Sequence, residues 1–240
     1  GENGSILVVN AGSSSLKFSL FRLDAADALQ LAVRGQLDGI GTRPSLKVKD
    51  DGGSTLDARD LVVAEVREVK DAIAVAGAWL RERFGGDPLL AVGHRVVHGG
   101  AEYSRPVLVD AKVYDALERL IPLAPLHQPH NLAAIRALRE SRPELPQVAC
   151  FDTAFHRTIP HHARTYAIPQ AISRELGIRK YGYHGISHQY VVTETARLMD
   201  IPWDRFCAVS CHLGSGGASL CAVVDGQSVD NTMGYSPLQG

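Results

Sequence analysis

The sequence predicts an α/β fold, and three observations carry that prediction. Short β-branched runs alternate along the chain with segments of helical period. The order strand, polar residue, small residue, Gly, Ser, strand occurs twice, at Asn10–Gly12 and again 202 positions later at His212–Gly214. The chain has 240 residues, enough for one large or two modest domains with their own cores. A hairpin pattern repeated at that distance points to duplicated domains with equivalent turns; unrelated strands that each end in Gly and Ser are the other reading.

Each element follows from local pattern. Residues 6–9 form a strand, broken by Asn10-Ala11-Gly12-Ser13-Ser14-Ser15 and resumed over 16–21. Residues 37–56, rich in Gly, Pro and charge, read as further strands and turns on one edge. Val69, Ile73, Ala76, Leu80 and Phe84 recur at steps of three and four before Gly85-Gly86, which predicts an amphipathic helix with a glycine stop. Residues 89–92 and 148–151 read as short buried strands. Asp110 is placed to cap a helix carrying Val113, Leu117 and Leu120, which Pro122 ends. Residues 131–141 and 187–199 have helical spacing.

Composition narrows the function classes. Twenty-five Lys+Arg against 26 Asp+Glu give a net charge of −1, the wrong balance for a dedicated nucleic-acid binder. No apolar run reaches the roughly 20 residues of a membrane span, and residues 1–4 lack a charged-then-apolar signal segment. The absence of an initial methionine reads as a processed or added end. Four cysteines without a CxxC pair are expected to be reduced, buried thiols of a cytoplasmic protein.

Several strings carry groups suited to chemistry. Gly12-Ser13-Ser14-Ser15 with Lys17 offers backbone N–H groups, hydroxyls and a cation, the makings of a concave anion site; a solvated serine-rich hairpin is the alternative. It is neither a Walker A loop nor a nucleophile elbow. Gly214-Ser215-Gly216-Gly217 is followed by a strand, so a dinucleotide site is not expected there. Gly93-His94-Arg95-Val96-Val97-His98 ends a strand among glycines, and Arg95 beside Val97 suits an anion with a small apolar tail. Asp152 stands just past a strand, where α/β sheets bind ligands; a capping role competes. His184, followed by Gly185, is expected on a turn before a helix. Zinc at His184/His188, His127/His130 or His161/His162, and a hydrolase of Ser14, His184 and Asp152, are weaker readings of the same residues. Two anion-cradling turns, an arginine, an aspartate and a turn histidine together suit phosphoryl transfer.

Five strings in register resemble the acetate kinase family: Val9-Asn10-Ala11-Gly12-Ser13-Ser14-Ser15-Leu16-Lys17-Phe18, Gly93-His94-Arg95-Val96-Val97-His98-Gly99-Gly100, Phe151-Asp152-Thr153-Ala154-Phe155-His156, Tyr181-Gly182-Tyr183-His184-Gly185 and Cys211-His212-Leu213-Gly214. The resemblance implies an actin-like and sugar-kinase architecture of two ribonuclease-H-like domains, 1–152 and 153–240, the second incomplete. It implies reversible transfer of the ATP γ-phosphoryl group to acetate, giving acetyl phosphate and ADP, with Mg²⁺ or Mn²⁺, in a cytoplasmic homodimer. By position, Asn10 matches a metal-site residue, and Lys17, Ser13, Ser15, His212, Leu213, Gly214, Ser215 and Gly216 match nucleotide contacts. Arg95 matches the substrate arginine, Asp152 the essential carboxylate, and His184 the histidine that stabilises the transition state. Val97, Leu126, Tyr183 and Pro237 match the methyl pocket. Tyr183 stands where the family commonly has phenylalanine, and the second phosphate loop carries one extra residue.

The resemblance also implies that a second arginine, the adenine pocket and a last metal-site glutamate would follow residue 240. The 240 residues alone are therefore expected to be nearly inactive. A propionate or butyrate kinase of the same fold, and a non-catalytic nucleotide-binding module, are the competing expectations.

Overall fold

The computed structural model describes residues 4–26 and 28–239. The reading made on the chain's first residues falls on Gly1–Asn3, outside the described residues, as does Gly240. Two compact units are present. The first comprises residues up to Val96, Val107–Ile121 and Pro125–Ala149; the second comprises Val97–Pro106, Pro122–Ala124 and Cys150 onward. This is more interleaved than the single cut after residue 152 expected from the sequence.

The first unit is built on a mixed sheet. Strands β1 (Ser5–Ala11), β2 (Ser15–Leu23), β3 (Leu29–Asp38), β4 (Ser45–Asp50) and β5 (Thr55–Asp60) form an antiparallel meander. Helix α1 (Val69–Phe84) then carries the chain to β6 (Leu89–Val96), which pairs parallel to β1. Strand β7 (Val107–Leu108), helices α2 (Ala111–Glu118) and α3 (Gln128–Ser141), and β8 (Gln147–Phe151) complete the order β5-β4-β3-β2-β1-β6-β8-β7. The alternation of β1 buries Ser5, Leu7, Val9 and Ala11 and turns Val8 outward, as one buried face demands. Leu7, Val9, Leu16, Phe18 and Leu20 pack with Ala72, Ile73, Ala76 and Trp79 of α1.

Local chemistry sets the helix ends. Asp110 Oδ1 accepts from Val113 N at 2.7 Å and starts α2 as expected. Asp71 Oδ2 accepts from Glu68 N at the start of α1. Helix α3 begins at Gln128, three residues before its apolar period, because Pro129 fits a first helical turn whose N–H groups have no intrahelical partner. At its other face, Asn131 Nδ2 donates to Ala11 O at 2.7 Å and pins the end of β1.

The second unit contains α4 (His161–Arg164), α5 (Gln170–Glu175), α6 (Gly185–Leu198) and the strands β9 (Ala208–Gly214), β10 (Gly217–Val224) and β11 (Gln227–Asn231), in order β11-β10-β9. Phe155, Val192, Ala196, Phe206, Cys221 and Val223 form one core. Val97, Ala124, Tyr181, Tyr183 and Met233 form another.

The repeated pattern holds down to strand register. Asn10 pairs with Lys17 and Ala11 with Leu16 in the β1–β2 hairpin. Adding 202 to each gives His212–Ser219 and Leu213–Ala218, both of them pairs of the β9–β10 hairpin. The cysteines correct the sequence reading in part. All four are free thiols, but only Cys221 is buried; Cys207 and Cys211 are exposed. Cys211 lies on the outward-facing side of β9, which local apolarity does not disclose. Among the described residues, no helix is long and apolar enough to cross a membrane.

Candidate active site

In the first unit, the expected residues gather around the β1–β2 turn. Gly12 N donates to Ser15 O at 2.8 Å, so that N–H is spent in closing the turn. The anion site read from the sequence therefore lacks the Gly12 N–H; Ser13 and Ser14 at its tip are exposed and Ser15 is half-buried. Lys17, opposite Asn10 in the ladder, is exposed as well. The half-buried Arg95, near the end of β6, donates from Nη1 to Asn10 Oδ1 at 3.3 Å. His94, its neighbour on the opposite face, is buried and donates from Nε2 to Gln147 Oε1 at 2.6 Å. Burial lowers the His94 pKa to about 4, so the ring is neutral. Leu126 is 76% exposed in this unit.

In the second unit, the arrangement is tighter. Asp152 directly follows β8 and is buried. Its carbonyl accepts from Gly185 N at 2.9 Å. A Cβ on Gly185 would lie 2.2 Å from that same oxygen, so only glycine allows the approach. On the other side, Gly182 has φ +78°, and a Cβ there would lie 2.7 Å from the His156 ring. The Tyr-Gly-Tyr-His-Gly string is thus clamped by two glycines. His184 takes the left-handed conformation, φ 55° and ψ 22°, as the N-terminal cap of α6. A non-glycine residue there is held by its surroundings rather than by its own preference.

The ring of His184 stacks on His212, with centroids 4.0 Å apart and planes 26° apart. His184 Nδ1 lies 2.8 Å from Ser219 Oγ, and His212 Nδ1 lies 3.0 Å from Ser187 Oγ. Behind them, the fully buried His188 places Nε2 2.8 Å from Ser219 Oγ and Nδ1 2.9 Å from Ser210 Oγ. His156 donates from Nε2 to Tyr183 O at 2.8 Å, so its Nδ1 accepts from Ser228 Oγ at 2.7 Å. Burial lowers the pKa of His98, His156 and His188 to about 4. Tyr183 donates to Tyr235 O at 2.7 Å, and burial pushes its phenol up. Val97 packs in the same cluster as Tyr183. Leu213, Gly214, Ser215 and Gly216 are exposed at the β9–β10 turn, and Pro237 opens a single 3₁₀ turn.

Sequence reasoning named His184 but missed Ser219, Ser210 and Ser187 as its company. In the sequence, His188 is legible only as the i+4 neighbour of His184, a spacing that also suits a zinc ligand. Among the described residues, no three or more His, Cys, Asp or Glu side chains converge to hold a metal. A cavity of about 790 Å³ lies in the first unit between α1, α3 and β1–β2; none of the candidate catalytic, binding or metal residues named from the sequence lines it.

The model of the acetokinase family matches residues 5–240. The chain belongs to the acetokinase family. It is 49% identical to the acetate kinase of Nitrobacter hamburgensis over 98% of this chain and 57% of that protein. It is similar to a propionate kinase from Francisella tularensis, with TM-score 0.88, 39% identity, and 99% of this chain and 59% of that one covered. It is also similar to the acetate kinase of Porphyromonas gingivalis, with TM-score 0.85, 31% identity and the same coverage. The acetokinase chain therefore has the actin-like α/β fold of these kinases, and it spans 57–59% of their length.

Proposed function

We propose that the protein is an acetate kinase, which reversibly transfers the γ-phosphoryl group of ATP to acetate, giving acetyl phosphate and ADP. The observation that carries this reading is the clamp on His184. Two glycines and the Asp152 carbonyl hold that imidazole in a left-handed cap, within a family whose relatives are carboxylate kinases.

Acetate is already ionised at neutral pH, so the reaction needs no general base to activate it. Positioning and charge compensation remain for the protein to supply. Arg95 binds the acetate carboxylate and offsets charge on the transferring group. His184 donates a hydrogen bond to the same charge as it develops. Lys17, Ser13 and Ser15 on one turn, and His212 with Leu213–Gly216 on the other, contact nucleotide phosphates through N–H, hydroxyl and cationic groups. Val97 and Tyr183 supply a buried apolar wall for the acetate methyl group, and the family resemblance assigns Leu126 and Pro237 to the same role by sequence position.

Asn10 and Asp152 offer the oxygen donors that Mg²⁺ prefers, and Mg²⁺ is commonly held by one or two carboxylates plus substrate phosphates. The donor chemistry therefore fits. Asn10 Oδ1 accepts one hydrogen bond, from Arg95, and its second lone pair would be available to the ion. When bound, the ion neutralises phosphate charge; Mn²⁺ satisfies the same donors. The family relationship further supports a homodimer acting in the cytoplasm.

A second reading, propionate kinase, is favoured by the likeness to the Francisella enzyme. The test is ATP formation from acetyl phosphate and ADP with Mg²⁺ by the purified protein, its intact mass recorded, with propionyl phosphate in parallel. ATP formed faster from acetyl phosphate supports the first reading, faster from propionyl phosphate the second. No ATP from either, by folded protein of intact mass above the 25.9 kDa of these 240 residues, overturns both; at 25.9 kDa, little or no ATP is the expected result.

A further inference from the structure

We propose that Ser219, His188 and Ser210 form a buried, one-directional hydrogen-bond relay that fixes the tautomer of His184. They are positioning residues, and the proposal rests on the reading that His184 donates to the transferring phosphoryl group.

The argument is one of counting protons. Ser219 Oγ lies 2.8 Å from two imidazole nitrogens, His184 Nδ1 and His188 Nε2. A hydroxyl has one proton and accepts elsewhere. The arrangement that uses every atom has one nitrogen donating to Ser219 and the other accepting from it. His188 is neutral, through burial and the surrounding histidines, and so carries one ring proton. Its other nitrogen, Nδ1, lies 2.9 Å from Ser210 Oγ.

The chain can run in two directions, and Ser210 decides between them. If His188 Nδ1 donated to Ser210, the buried Ser210 hydroxyl would have to donate elsewhere. No other hydrogen bond is made by that hydroxyl among the described residues, and a buried unused donor is costly. In the opposite direction every proton is used. Ser210 donates to His188 Nδ1, His188 Nε2–H donates to Ser219, and Ser219 donates to His184 Nδ1. His184 then carries its proton on Nε2 without needing a positive charge. The stack on His212 holds the ring plane, and the relay holds the proton. The two members of the stack have different hydroxyl partners, Ser219 and Ser187, so the relay acts on His184 alone.

The test is a long-range ¹H–¹⁵N correlation spectrum of the ¹⁵N-histidine-labelled protein at neutral pH, with the His184 signals assigned by His184→Asn. The expected result is a neutral His184 protonated at Nε2. Ser219→Ala and Ser210→Ala should both move it toward a mixture with the Nδ1–H form, and Ser219→Thr should restore the original state. Ser210→Ala does not touch His184, so a shift there follows from the relay and not from local packing; it also decides the matter if Ser219→Ala fails to fold. An Nδ1–H tautomer in the unaltered protein, or a tautomer indifferent to both alanine variants, overturns the proposal. In turnover, Ser219→Ala should lower kcat roughly 10–100-fold with KM little changed, the usual range for an outer partner of a reacting group. Protein longer than these 240 residues that makes no ATP from acetyl phosphate would overturn the kinase reading, while the spectrum would still decide the relay.

Discussion

Ser219 and His212 face each other across the β9–β10 ladder, and both touch the ring of His184: Ser219 by a hydrogen bond at Nδ1, His212 by stacking at 4.0 Å. A single cross-strand pair therefore sets both the plane of the imidazole and the polarity of one of its nitrogens. Directly opposite residues of an antiparallel pair bring their Cβ atoms within roughly 5 Å, which is why one side chain reaches both.

Gly185→Ala should destabilise the protein by about 2–3 kcal/mol, the cost of overpacking together with a weakened hydrogen bond. Its Cβ would fall 2.2 Å from Asp152 O, whereas nothing lies within 4 Å of a Cβ on Gly86. Urea unfolding of the two alanine variants checks this. Gly86→Ala should stay within about 0.5 kcal/mol of the parent, as surface changes usually do. Equal stability of the two would mean the clamp is not tight.

Arg95→Ala should cost 10²–10³-fold in turnover, roughly 3–4 kcal/mol, the scale of one lost donor at developing charge. Steady-state kinetics in both directions of the acetate reaction would measure it. Unchanged turnover would remove Arg95 from the mechanism and leave its bond to Asn10 purely structural.

Stability should fall as pH drops from about 6.5 toward 4. His94, His98, His156 and His188 have folded pKa values lowered to about 4 from an ordinary 6.5. Between those values the unfolded chain binds more protons than the native one, so stability rises with pH through the window and is fully present above it. The fully enclosed His94 alone corresponds to roughly 3 kcal/mol. Denaturant unfolding at several pH values should show this slope, and His94→Gln should make it shallower; an unaltered slope would contradict the assignment.

Val97→Ala should shift preference from acetate toward propionate. Val97 is 3% exposed and packs with Ala124, Tyr181, Tyr183 and Met233, so shortening it opens volume beside Tyr183. One methylene is worth about 1–3 kcal/mol in such a pocket. The ratio of kcat/KM for the two acids should move by roughly 10-fold or more on that scale. A ratio that does not move would take Val97 out of the pocket wall.

By itself, the sequence determined what neighbours along the chain decide. Alternation placed β1 and β2, Asp110 capped α2, and the Gly after His184 put that residue on a turn before a helix. The 202-residue offset even carried the hairpin register. These are effects of backbone preference and side-chain period, which act within a few residues. Only the tertiary structure decided the partners. Asn131 meets Ala11 across 120 residues, His156 meets Ser228 across 72, and His184 meets Ser219 across 35. A serine that completes such a bond looks like any other serine until folding closes the distance. The need to pair buried polar atoms then selects which residues surround His184, and local pattern contains no trace of that choice.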